Sequence, residues 1–278
     1  MKTDGQAIIY KETYSNPTFL SWLSKNHYSF YPWLVGILML LLWQLQVLHR
    51  LFRLELYQLP IPSGIWGAFR DQYDLLLNYT GYTGIEIFGG FLIGSLLGFL
   101  IAIPASLFPD GGRGGIAIIA MINAVPIVAL APVMNNWFGD GVASRIGVVS
   151  VLTMATMCVN TFKGMTSIDH SYFELMQSYA ASKWKVFYKI RLPHGLPNVF
   201  AALKINMTTS IIGAIVGEFF YASRGLGYLL SDQIKLANMP LSWACITLAA
   251  ILGITLYFVV QSTERFFIPW KKSHSGKS

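Results

Sequence analysis

Residues 85–108 read IEIFGGFLIGSLLGFLIAIPASLF, a run with a single charge, Glu86, at its second position. An α-helix needs about 20 apolar residues to cross a hydrocarbon core of ~30 Å, so this run is long enough to span a membrane. It is continuously apolar and not alternating, which excludes a strand of a membrane barrel. Gly90, Gly94 and Gly98 recur every fourth residue on one helical face, the pattern that lets a second helix approach closely.

Further stretches of the same character extend on both sides: Tyr31–Leu48, Ile116–Met134, Arg145–Phe162, Val199–Phe220 and Leu241–Thr263. The expected fold is an all-α membrane protein. Its six transmembrane helices occupy 31–263, cytoplasmic tails lie at 1–30 and 264–278, and a cytoplasmic helix lies between the fourth and fifth spans. Pro126 and Pro132 predict a kink or break in the third span. Gly111-Gly112-Arg113-Gly114-Gly115 predicts a tight hairpin ahead of it.

Composition agrees. Of 278 residues 54% are apolar and only 12% charged, against roughly 25% charged in a soluble domain. The net charge of +7 comes from Lys and Arg in short loops between spans. Without a basic face on a polar domain, this argues for membrane lipid and against nucleic acid as the partner. With the N-terminus inside, thirteen Lys and Arg fall in cytoplasmic segments and six outside, with Lys204 within a span. The excess favours both termini in the cytoplasm. Residues 1–30 lack a basic segment followed by a short apolar core, so no cleaved signal peptide is expected. Cys158 and Cys245 fall in separate apolar spans and read as small hydrophobes, with no disulfide framework and no metal site.

The segment from Lys163 to Asn198 is too polar to cross a membrane. Phe173, Met176, Ala180, Trp184 and Phe187 are spaced 3, 4, 4 and 3 apart, which predicts one apolar stripe on a single amphipathic helix over 171–193. Ser171 and Glu174 form an S-x-x-E capping box at its start. Pro193 is expected to end it, with His194-Gly195-Leu196-Pro197 as a turn into the fifth span. Lys185 falls on the solvated face.

These residues resemble the cytoplasmic signature of binding-protein-dependent ABC importer permeases. Glu174, Ala180, Ala181, Ser182, Ile190, Leu192 and Pro193 stand at matching positions. Leu175 and Met176 replace that family's paired alanines, and Ala180 replaces its glycine. Leu59-Pro60-Ile61-Pro62-Ser63, and Gly217-Glu218 through Ser223-Arg224-Gly225-Leu226-Gly227, resemble the nitrate, sulfonate, taurine, pyrimidine-precursor and riboflavin branch. The resemblance implies a transport subunit in a bacterial inner membrane, with the cytoplasmic helix as a coupling helix docked on an ATPase subunit. It further implies a dimer of ATPases holding ATP and Mg, a second permease copy and an external solute-binding protein, with no cofactor on this chain. Gly276-Lys277-Ser278 imitates the end of a P-loop, but Lys271 stands where the first glycine is required.

Candidate path residues are Asn123, Pro126, Asn160, Asn206, Thr209 and Glu218. The amides and hydroxyls either line the route or hydrogen-bond between helices. Glu218 and Glu86 are carboxylates within spans, and either serve function or reach interfacial water. Only Lys204 places a positive charge inside a span, which favours a neutral heterocycle over a small anion. An ion-coupled secondary transporter is the alternative; an absence of obvious repeats and few intramembrane charges count against it.

Overall fold

The computed structural model describes residues 19–268, with the side chains of 19–30 and 109 left out of the description. Most of both predicted tails, including the Gly276-Lys277-Ser278 tripeptide, lies outside those residues. The described residues contain only helices and connections. They fall into two units, one ending at Leu56 and the other beginning at Tyr57.

The first unit holds α1 (Phe19–Gln44) and the short α2 (Val47–Phe52). The span expected to reach Leu48 stops at Gln44, because Gln46 turns the chain with a left-handed backbone (φ 60°). The apolar portion of α1 with described side chains, Tyr31–Gln44, is shorter than a full crossing.

The second unit contains α3 (Pro62–Asp71), α4 (Tyr73–Leu107), α5 (Pro109–Met121), α6 (Ile127–Phe138), α7 (Val142–Thr166), α8 (His170–Ser178), α9 (Lys183–Val186), α10 (Leu192–Tyr221), α11 (Leu226–Lys235) and α12 (Met239–Phe267). Among the described residues, four helical stretches are long and apolar enough to cross a membrane: α4, α7, the run from Lys183 to Tyr221, and α12. The α5–α6 pair makes a fifth if it counts as one broken span. That break answers to the predicted Pro126. Val125 is forced extended ahead of proline, Pro126 caps α6, and the two helices bend by 99°.

α7 is the hub, packed against α4, α10, α6 and α5. Gly90, Gly94 and Gly98 of α4 face it as expected. A Cβ on Gly94 would lie 2.0 Å from Thr153 Oγ1 and 2.3 Å from the Ser150 carbonyl oxygen. With backbone this close, side chains of one helix bond the backbone of the other: the hydroxyls of Thr153 (3.2 Å) and Ser150 (3.4 Å) reach the carbonyl of Gly90. Such bonds serve where no water competes. Outward, Ile93, Leu96, Ile251, Ile254 and Phe258 are exposed, as apolar side chains solvated by lipid should be. Cys158 and Cys245 are free and buried.

The expected glycine hairpin is not a hairpin. Residues 111–115 lie within α5, which begins at Pro109, a residue pre-set for the first helical turn. The turn is made earlier, at Phe108. Gly112 is needed where the helices meet, since a Cβ there would sit 2.2 Å from the Ala105 carbonyl oxygen.

Candidate functional site

The segment expected to be cytoplasmic departs from its single-helix expectation at three places, each for a local reason. The capping box is not used. Asp169 is the N-cap of α8; its Oδ1 accepts from the amide (2.9 Å) and hydroxyl (2.7 Å) of Ser171. Those bonds from Ser171 hold the Asp169 carboxyl below the usual carboxylate range. Ser171 is thus a donor inside the first turn, and Glu174 is exposed one turn later.

The helix also stops at Ser178. Ala181 N–H donates to the Met176 carbonyl (3.0 Å) and Ala180 N–H to the Gln177 carbonyl (2.8 Å), while Ala180 takes a left-handed backbone with φ 48°. This is a Schellman stop, whose left-handed position is usually glycine. Ser182 then caps α9, its Oγ accepting from Lys185 N–H (3.4 Å). The stripe is consequently divided between two helices and a turn. Phe173 and Met176 are half-buried, Ala180 and Trp184 are exposed, and Phe187 is buried.

Third, Pro193 does not end the helix. Phe187–Arg191 widens into a π-helix, with Leu192 N–H donating to Phe187, and α10 continues to Tyr221. Proline has no N–H for the carbonyl four residues back and crowds it, and a wider turn accommodates both defects. His194, Gly195 and Pro197 are therefore helical, and Ile190, Leu192 and Pro193 are half-buried along one continuous 39-residue run.

The predicted path residues separate into two groups. Asn123 and Pro126, at the break in the third span, are exposed. Thr156 Oγ1 approaches Asn123 Oδ1 at 3.5 Å, and Asn160 Nδ2 donates to the Thr156 carbonyl at 2.8 Å. Asn123, Thr156 and Asn160 thus form a polar row on the side of α7 beside the break. Thr209 is half-buried on α10 and bonds its own helix at Ile205. Asn206 is fully buried and donates to Ser95 Oγ and the Thr153 carbonyl, both at 2.9 Å. It clasps α4, α7 and α10 together, the second of its two sequence readings.

Glu218 is likewise fully buried, and it latches the chain that follows α10. Its oxygens accept from Thr83 Oγ1 and from Gly227 N–H, each at 2.7 Å, while Leu226 N–H donates to Thr83 Oγ1 at 2.8 Å. Gly225 completes the turn with φ 101°; a Cβ there would lie 2.1 Å from Glu218 Oε1. Glu218→Ala should strand these buried donors at a cost of about 2–4 kcal/mol. It should lower the thermal midpoint and expose 222–227 to protease, whereas Glu218→Gln, which keeps one acceptor, should do less.

Glu86 is 4% exposed and stands beside Glu218, with Arg145 acting on both. It lines a cavity of about 320 Å³ with Tyr82, Asp140, Arg145, Ser223 and Arg224. Arg145, near the start of α7, is buried. It pairs with Asp140 (2.5 Å), donates to the carbonyls of Gly141 and Tyr221, and so fastens the start of α7 to the end of α10. An arginine beside an apolar run was the signal for it.

A family model described as "Binding-protein-dependent transport system inner membrane component" matches residues 90–273, which takes in α4 from Gly90 onward, α7, the segment over 171–193 and α10 to α12. The chain belongs to this family. The formylaminopyrimidine transport permease protein ThiX of Halalkalibacterium halodurans is 27% identical over 90% of this chain and 99% of its own length. The riboflavin transport system permease protein RibX of Chloroflexus aurantiacus is 28% identical, over 85% and 88%. The solved inward-facing MetNI methionine ABC transporter shares the fold at a TM-score of 0.61 and 18% identity, over 70% of this chain and 97% of that one. The family description makes the permease a component of a transport system.

Proposed function

We propose that the permease forms the membrane path of an ATP-driven importer for a small neutral heterocycle of the pyrimidine or flavin kind. The observation that carries this reading is the unbroken run from Lys183 to Tyr221. It joins an exposed cytoplasmic segment to a helix, α10, that also contributes Thr209 on the membrane side. A displacement at one end of a continuous helix is delivered to the other. In this reading residues 171–193 form the coupling segment, docked on a separate ATPase that holds ATP and Mg. Two ATPases, a second permease copy and an outer solute-binding protein complete the machine. α1 supplies the first of six spans, and both termini are cytoplasmic in a bacterial inner membrane.

Charge supports the solute class. Arg145 is paired with Asp140, and Lys204 Nζ lies 2.8 Å from Glu264 Oε2, so neither offers a free positive charge to an anion. Asn123, Thr156 and Asn160 offer neutral donors and acceptors, which suit a heterocycle's ring nitrogens and carbonyls. Relatives named for formylaminopyrimidine and riboflavin support the heterocycle, while others are named for aliphatic sulfonates and taurine.

Uptake in vesicles containing the permease, its ATPase and its binding protein tests both parts. Transport should require ATP hydrolysis and persist when ion gradients are collapsed. Uptake by the permease alone under a proton or sodium gradient would establish the ion-coupled alternative. A pyrimidine or flavin should compete for uptake, and competition by a sulfonate or nitrate instead would overturn the solute class. Orientation has its own check: in intact cells an impermeant thiol reagent should label cysteine at Ser223, outside, and not at Ser178, inside.

A further inference from the structure

No residue of α8 is buried, and the helix is bounded by loops on both sides, so few contacts position it on the membrane body. One of them involves a cation, and a second cation anchors the neighbouring α9. The Arg191 guanidinium lies 5.0 Å from the centre of the Phe173 ring on α8, and its Nη1 donates to the carbonyl of Ser106, in the last turn of α4. Lys183 Nζ, at the start of α9, lies 4.8 Å from the centre of the Phe108 ring, where α4 turns into α5. Both contacts end on the α4–α5 elbow, where Gly112 packs directly against the backbone of Ala105. A guanidinium suits this work because it stacks through its face while donating in its plane. Arg191 also ends the π-helical turn, where covalent continuity leads only into α10.

We propose that Arg191 is a positioning residue that ties the coupling segment to the α4–α5 elbow, so that a push on α8 moves α4 as well as α10. This rests on the reading of residues 171–193 as the coupling segment. Without Arg191, α8 still meets its ATPase and the push still enters α10, but α4 no longer follows. Such a permease hydrolyses ATP through its partner and moves little solute.

The test is the number of solute molecules imported per ATP hydrolysed, in vesicles holding the permease, its ATPase and its binding protein. Arg191→Met keeps the length of the side chain and removes the donors. It should retain the ATPase on purification, keep ATP hydrolysis within about twofold, and lower solute per ATP by about tenfold. Arg191→Lys, which restores a charge and a single donor, should recover part of that ratio. Phe173→Leu, which removes only the stacking partner, should fall between. An unchanged ratio in Arg191→Met overturns the proposal. Loss of the ATPase in that variant also overturns it, by assigning Arg191 to the docking face. Poor folding of Arg191→Met leaves Phe173→Leu and Arg191→Lys to decide: ratios equal to the unmutated permease in both refute the tie. Failure of the coupling reading itself looks different. It appears as an ATPase that stays bound when Ala180 carries a charge.

Discussion

Gly94→Ala should drive α4 off α7 and leave the permease unable to hold a stable fold. The added Cβ would sit 2.0 Å from Thr153 Oγ1, 2.3 Å from the Ser150 carbonyl oxygen and 2.8 Å from Ser150 Cα. Two of those three atoms are backbone and cannot rotate away. Gly90 and Gly98 stand in equally close contact on either side, 2.3 Å from Val149 Cβ and from the Met154 carbonyl oxygen, so the helices cannot tilt around the intrusion. Parting them would also stretch the bonds from Thr153 and Ser150 to Gly90, and from Asn206 to Ser95. Overpacking costs about 1–3 kcal/mol, and a buried polar network partly undone costs more than its separate bonds suggest. Thermal unfolding in detergent, beside Gly111→Ala where a Cβ meets open space, provides the measurement. A Gly94→Ala midpoint equal to that of Gly111→Ala would refute the close-packed seam.

Two substitutions at residue 180 should have opposite outcomes. Ala180→Gly relieves a left-handed residue in a Schellman stop and should stabilise the turn by about 1 kcal/mol, with the ATPase still bound. Ala180→Glu keeps the same backbone demand as alanine but places a carboxylate at the exposed turn, between Tyr179 and Trp184, which are 73% and 57% exposed. Burying an unpaired charge against a partner costs several kcal/mol, enough to dissolve a subunit contact. Co-purification should therefore recover the ATPase with Ala180→Gly and lose it with Ala180→Glu, while both variants reach the membrane. Lys185→Glu, also exposed, should do much less. An ATPase that remains with Ala180→Glu moves the docking face elsewhere.

The features legible in the sequence are those fixed by spacing along one helix. Gly90, Gly94 and Gly98 announce their contact because a four-residue interval keeps them on one face, and Pro126 announces the break because its ring forbids the helical backbone before it. What escaped depends on competition or on distance. Asp169 wins the N-cap over Ser171, although both are good caps, and no interval ranks them. Ala180 adopts a conformation that alanine rarely advertises. Thr83 meets Glu218 across 135 residues, so no local pattern could pair them, and the same holds for Arg145 with Tyr221. Asn206 could be seen to lie within a span, but not which way it faced. It faces inward, because Ser95 and Thr153 await its amide.

The widened turn at Phe187–Arg191 has a bearing on how the permease is aligned with its relatives. Such a turn carries one residue more than an α-helical turn, and one residue is about 100° of azimuth. A helical wheel begun at Trp184 and continued to Asn206 is out of phase by that amount on its second half. Residues drawn on a common side are not neighbours, and true neighbours are drawn apart. Deleting one residue between Phe187 and Arg191 would convert the wide turn to an α-helical one and leave the aromatic cluster of Trp184, Phe187 and Tyr188 close to its present azimuth relative to α10. A one-residue gap placed at this point in an alignment thus keeps the two ends of the helix facing as they do, whereas the same gap elsewhere along α10 turns one end by about 100° against the other.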